Sequence, residues 1–295
     1  MHLLTLLDWT AEDVSNVLQR GLDIKKDPEA YASAFAGKTL ALLFEKTSTR
    51  TRSSFEAGAA RMGGHAMVLD ARSTQLAKGA SLKDEIRCLA RYADAIAARV
   101  YDHASLQEMA AHSRAPVLNA LCDRYHPCQA LADLMTLQEK IGDLKGRKLC
   151  YVGDGNNVCN SLIIACARVG MRIAVASPEA YDPREDAAAE GEKAGVFSLH
   201  RDPRDAAAGA DAVYTDTFVS MGQEEGKEKR LADLAPFQVT RSLLGSAYFM
   251  HCLPLYRGQE VAEDVPESDK SIIFDQAENR MHVQNAVLLT CLEKG

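Results

Sequence analysis

At 295 residues and 32.1 kDa the chain exceeds a single minimal core and suits two domains of ~150 residues each. With 47% hydrophobic residues, 25% charged residues and a net charge of −7, it has the composition of a folded globular protein, which excludes a disordered chain. It also lacks the basic excess of a nucleic-acid binder, and its apolar runs stop short of the ~20 residues a bilayer span needs.

The first predicted element is an amphipathic helix from Thr10, which can cap it; Val14, Val17 and Leu18 share one face and Gly21 can end it. Strands are predicted at 39–44, 66–69, 95–100 and 116–118, separated by helical patterns near 51–62, 81–92 and 104–112. His126 to Ile141 carries Leu131, Leu134, Met135 and Leu137 at helical spacing and reads as a bridge to a second half. That half has strands near 148–152, 171–176, 212–215, 247–251 and 271–274, then a final helix over 276–292. Strands alternating with crossover helices imply an α/β fold of two doubly wound parallel-sheet domains joined by a bridging helix. The charged segment Gly222 to Arg230 reads as a flexible loop, or simply as solvated surface.

The eight cysteines form no C-x-x-C pair, and the chain opens on Met1-His2-Leu3-Leu4 with no basic region before a cleavable apolar segment. Free thiols in a reducing cytoplasm, and no structural metal, are therefore expected.

Chemistry concentrates at predicted strand ends. After strand 39–44, Glu45-Lys46-Thr47-Ser48-Thr49-Arg50-Thr51-Arg52 opens a helix that Ser53 and Glu56 could support as a capping box. Such a helix start, with three hydroxyls and Arg50, suits a phosphate, although an ordinary cap with exposed arginines has the same sequence. His126-Pro127-Cys128-Gln129 starts the bridging helix, and Arg99 ends a strand whose carboxyl end can reach the same crevice. In the second half Gly153-Asp154-Gly155-Asn156-Asn157 follows a strand like a dinucleotide fingerprint, but Val158 stands where the third glycine belongs. Asp216, Ser220, Met221 and Gly222 follow another strand, and His251-Cys252-Leu253-Pro254 a third. Each alone could be a turn, and Cys252 a small buried hydrophobe.

Taken in order, Ser48-Thr49-Arg50-Thr51, His126-Pro127-Cys128-Gln129, Asp216-Thr217-Phe218-Val219-Ser220-Met221-Gly222 and His251-Cys252-Leu253-Pro254 closely resemble the motifs of the aspartate/ornithine transcarbamylase family, specifically its ornithine branch. The resemblance runs from the first helix to Gln276-Ala277-Glu278-Asn279-Arg280. It implies a carbamoyl-phosphate-binding domain over 1–140, an ornithine-binding domain over 141–275, and a C-terminal helix, 276–295, that packs back on the first domain.

It further implies transfer of the carbamoyl group of carbamoyl phosphate to the δ-amine of ornithine, in arginine biosynthesis, without cofactor or metal. Ser48, Thr49, Arg50 and Thr51 would hold the phosphate, while Arg99, His126 and Thr51 would point at the carbonyl oxygen. Gln129 would bind the carbamoyl amino group. Gln75 would reach a neighbouring subunit's site, so catalysis would need a homotrimer. Asn157, Asp216, Ser220 and Met221 would grip the amino-acid end of ornithine, Cys252 and Leu253 would lie by its side chain, and Arg280 by the reacting centre. Ala80 departs from the acidic residue usual before Ser81. Other readings are a related transcarbamylase acting on putrescine or an N-acylornithine, a nicotinamide-dependent oxidoreductase resting on Gly153-Asp154-Gly155, and a non-catalytic paralogue.

Overall fold

A computed structural model describes residues 1–219 and 226–294. The chain divides into two compact units, Met1–Met135 with Glu278–Gly295, and Thr136–Ala277.

In the first unit, α1 (Ala11–Lys26) is capped as expected, by a reciprocal box in which Thr10 Oγ1 accepts from Asp13 N–H and Asp13 accepts from Thr10 N–H. Gly21 does not end it: the helix continues to Lys26, and a Cβ there would come within 3.0 Å of Met135 Sδ, so this glycine serves close packing. There follow β1 (Thr39–Phe44), α2 (Thr49–Arg61), β2 (His65–Asp70), α3 (Leu82–Tyr92), β3 (Ala95–Arg99), α4 (His103–His112), β4 (Val117–Leu121) and α5 (Pro127–Ile141), whose residues after Met135 are assigned to the second unit. The strands form one parallel sheet in the order β2-β1-β3-β4. Every residue of β3, Ala95-Ile96-Ala97-Ala98-Arg99, is buried, as expected for a central parallel strand covered on both faces.

The second unit holds β5 (Lys148–Val152), α6 (Asn157–Val169), β6 (Arg172–Ala176), α7 (Glu185–Lys193), β7 (Phe197–His200), α8 (Pro203–Ala207), β8 (Ala212–Thr215), α9 (Lys227–Leu234), α10 (Arg241–Leu244) and β9 (Tyr248–Met250). All five strands are parallel, ordered β7-β6-β5-β8-β9, over a core that includes Val152, Val213, Phe218, Phe249 and Val261. The final helix, α11 (Ile273–Glu293), spans the division between the units and supplies its Glu278-onward part to the first.

Three further expectations need correcting. Residues 271–274 are not a strand: Ser271 makes a single bridge to Phe249, and Ile273 already begins α11. Lys227 to Arg230 belong to α9 rather than to a loop, although the charged segment's 222–225 portion lies outside the described residues. The cap of α2 is Ser48, not Ser53; its Oγ accepts from Thr51 N–H, while Glu56 pairs with Arg52 one turn back. No helix among the described residues is long and apolar enough to cross a membrane. All eight cysteines are free thiols.

Candidate active site

In an open parallel sheet, ligands sit beyond the strands' carboxyl ends where the strand order reverses, because there the connecting loops diverge to opposite faces. In the first unit that point lies between β1 and β3, so it is framed by the 45–51 loop and the end of Arg99. The two are tied together: Glu45 N–H donates to Arg99 O at 2.9 Å, and Glu45 Oε2 accepts from Tyr101 N–H at 2.8 Å.

The buried Thr51 hydroxyl is the centre of this half-site. Its Oγ1 accepts from Arg99 Nη1 at 3.5 Å and from Arg280 Nη2 at 3.3 Å, the second guanidinium coming from α11. Arg280 also donates Nη1 to Gln129 Oε1, on the first turn of α5. Two cations converging on one buried hydroxyl repel each other, and an anion entering between them would relieve that cost. His126 is buried beside them; its burial, then the charges of Arg280 and Arg99, hold its imidazole well below the ordinary range, so it is neutral at pH 7.

Ser48 is half-buried, whereas Thr49 and Arg50 are exposed; Lys46, Ser48, Thr49 and Arg52 help line a cavity of about 340 Å³, and Arg50 is not part of that lining. The Lys46 ammonium lies 4.3 Å from the centre of the Tyr101 ring, and burial, then the Arg99 charge, lowers its pKa. Gln75 is exposed on the short turn Gln75–Lys78, and no hydrogen bond among the described residues joins its side chain to the Thr51 cluster. Ala80 is likewise exposed.

In the second unit the strand order reverses between β5 and β8, and the residues beyond those strands again gather. Asn156, the cap of α6, accepts from Val158 and Cys159 N–H through Oδ1 and donates Nδ2 to Asp216 Oδ2 at 2.7 Å. Asp216 Oδ1 accepts from the Cys252 thiol at 3.1 Å and from Thr217 N–H at 2.8 Å. Asn157, at the first position of α6, is half-buried. Ser220 and Met221 lie outside the described residues.

Leu253, next to Cys252, has a left-handed backbone (φ 60°), a conformation that costs a non-glycine residue about 1–2 kcal/mol and must be held. Its N–H donates to His251 Nδ1 at 2.9 Å. His251 N–H in turn donates to Gln276 Oε1, and His251 Nε2 lies 3.4 Å from the buried Glu260 carboxylate. Asp216, His251 and Cys252 each offer a possible metal-ligand atom within 4.8 Å of the others. His251 Nδ1 and Asp216 Oδ1 are, however, already committed to the bonds above.

The Gly153-Asp154-Gly155 turn is closed to a nucleotide. A Cβ on Gly155 would lie 2.3 Å from Pro183 N and 2.7 Å from Tyr181 O, so the 181–183 backbone fills the space that a pyrophosphate takes in a dinucleotide fold. Asp154 is instead paired with Arg230, which also donates to Phe218 O at 2.6 Å.

Sequence reasoning did not single out Asp133 or Arg230, and it named Asn156 only within the 153–157 turn. Arg230 is hidden in a charge run and Asp133 in a helical apolar pattern. Asn156, between Gly155 and the start of α6, had the signal of a cap.

The first unit is thus built to hold an anion, and the second presents a carboxylate paired with a thiol, the parts of a two-substrate group-transfer enzyme. Residues 1–139 match the family described as aspartate/ornithine carbamoyltransferase, carbamoyl-P binding domain, and residues 145–291 match its Asp/Orn binding domain. The chain belongs to the aspartate/ornithine carbamoyltransferase family. Among its relatives, the anabolic ornithine carbamoyltransferase of Pyrococcus furiosus is 48% identical over 298 residues, covering 97% of this chain and 94% of that protein. The ornithine carbamoyltransferase of Bacillus subtilis is 45% identical over 302 residues, with coverage of 99% and 94%. A solved ornithine carbamoyltransferase from Pyrococcus furiosus superposes with a TM-score of 0.92 at 47% identity over 97% of this chain and 95% of that one. The anabolic enzyme from Campylobacter jejuni gives 0.93 at 36% identity over 100% and 99%.

Proposed function

We propose that this chain is an ornithine carbamoyltransferase: it moves the carbamoyl group of carbamoyl phosphate to the δ-amine of L-ornithine, yielding L-citrulline and phosphate for arginine biosynthesis. The observation that carries the reading is the convergence of Arg99 and Arg280 on Thr51 Oγ1, with the Gln129 amide bonded to the same Arg280. Phosphate is already a good leaving group, so the protein's task is to align two ligands and to stabilise the charge that develops on the carbonyl oxygen.

In this reading Ser48, Thr49, Arg50 and Thr51 bind the phosphate. Arg99, Thr51 and His126 donate to the carbonyl oxygen; being neutral, His126 acts there as a hydrogen-bond donor rather than as an acid. Gln129 accepts from the carbamoyl amino group. Asp216, Asn157, Ser220 and Met221 bind the amino-acid end of ornithine, with Cys252 and Leu253 along its side chain.

The amine lone pair attacks the carbonyl carbon, a tetrahedral intermediate forms, and the bond to the phosphate oxygen breaks as the amine passes its extra proton to the departing phosphate. An alkylamine ordinarily keeps its proton to ~10.4, and desolvation beside the guanidiniums of Arg99 and Arg280 favours the neutral nucleophile.

We also assign the chain to a homotrimer in the cytoplasm, in which Gln75 serves an adjoining subunit's site. Its exposure away from its own chain's Thr51 cluster favours this arrangement, and the eight free thiols suit a reducing compartment. The test is citrulline formation from carbamoyl phosphate with ornithine, putrescine and N-acetylornithine as acceptors, alongside the mass of the assembly. Ornithine should be preferred by orders of magnitude in a trimer-sized particle. Equal use of putrescine would overturn the acceptor assignment.

A further inference from the structure

Asp133 sits on α5 one turn beyond Gln129 and is completely buried. A carboxylate placed there carries a desolvation cost that a leucine at the same helical position would avoid. What it does is visible in the amide it faces. Gln129 Nε2 donates to Asp133 Oδ1 at 2.7 Å, an i, i+4 pair along the helix.

The two ends of a glutamine amide have nearly the same shape, and only their partners decide which end points where. Asp133 Oδ1 accepts from the NH₂ end, and this turns Oε1 the other way, where Arg280 Nη1 meets it. That oxygen has two lone pairs, so one remains for a second donor.

We infer that Asp133 is the positioning residue that sets the Gln129 amide, and thereby a determinant of specificity for the carbamoyl group. With Oε1 turned outward the site offers an acceptor to the amino group of carbamoyl phosphate. An acyl phosphate carrying a methyl group at that place, such as acetyl phosphate, gains nothing from it. This assignment rests on the proposed carbamoyl-transfer function and on the place of Gln129 in it.

The test compares the KM for carbamoyl phosphate with the inhibition constant of acetyl phosphate, its competitor, in the citrulline assay on the intact enzyme. The preference for carbamoyl phosphate should fall about tenfold in Asp133→Leu, the worth of one ordinary hydrogen bond. It should stay near wild type in Asp133→Asn, whose Oδ1 still accepts from Gln129. Leucine is close to aspartate in size and brings no polar group that would need a partner, so the leucine variant should fold. Should it not, Asp133→Ala, which removes the same acceptor without adding bulk, carries the test: the same fall in preference is expected, and wild-type discrimination would refute the inference. If Asp133→Leu weakens both ligands in the same proportion, or neither, the inference is overturned while the carbamoyl-transfer reading stands. If the wild-type enzyme forms no citrulline, or favours acetyl phosphate, that reading falls and the inference with it.

Discussion

The buried hydroxyl of Thr51 offers the sharpest test of the anion half-site. Thr51→Val keeps the branched shape and removes the hydroxyl on which Arg99 and Arg280 converge, together with its own bond to the ligand in the proposed reading. Hydrogen bonds to charged groups contribute about 1.5–3 kcal/mol at good geometry; at 3.5 and 3.3 Å each is better placed near ~1 kcal/mol. Losing both amounts to ~2 kcal/mol, or ~30-fold in affinity, because the guanidiniums are no longer held where the anion arrives. Titration calorimetry with inorganic phosphate at fixed ionic strength measures this directly, and Thr51→Ser, which keeps the hydroxyl, should stay within a few-fold of wild type. If Thr51→Val bound phosphate within twofold of wild type while remaining folded, the hydroxyl would not organise the two arginines.

Two further predictions concern the second unit. Gly155→Ala drives a methyl group into the 181–183 backbone, with 2.3 Å to Pro183 N, and threatens the Gly155 N–H to Tyr181 O bond; a loss of at least ~1–3 kcal/mol is expected in urea unfolding, and an unchanged midpoint would refute the close approach. Asp154 is pushed up from 3.8 to about 6, by burial first, against the opposing Arg230 and with a further push from Asp216. The folded protein therefore binds that proton more tightly than the unfolded chain, so this group's contribution to stability rises as pH falls from about 6 to about 4, by ~3 kcal/mol for a shift of about two units. Asp154→Asn removes the titration, and parallel pH profiles for the variant and the wild type across this window would contradict the assignment.

The central strands were legible because parallel strands buried on both faces read as unbroken apolar runs, as in Thr39–Phe44 and Ala95–Arg99. β7 escaped for the opposite reason: at the sheet edge Ser198 and Leu199 are exposed and the strand has only four residues. The 271–274 segment carries two adjacent isoleucines that mimic a strand, yet it leads straight into α11, whose buried surroundings decide the matter. The residues flagged after β1, β5 and β9, and Asp216 after β8, stood out because polar side chains gather at these strand ends, while Ser220 and Met221 lie outside the described residues. Which of two hydroxyls caps α2, or which asparagine orients Asp216, depends on distances that no spacing rule contains.

The membership of Arg280 bears on any attempt to take the protein apart. This side chain comes from residue 280, yet it belongs with Thr51, Arg99 and Gln129 in a unit otherwise made of the first 135 residues. A gene fragment ending near residue 140 would encode the whole four-stranded sheet and still lack one of its two convergent guanidiniums. Supplying 278–294 as a separate peptide, or splicing it on through a permuted linkage, restores the missing guanidinium to that unit.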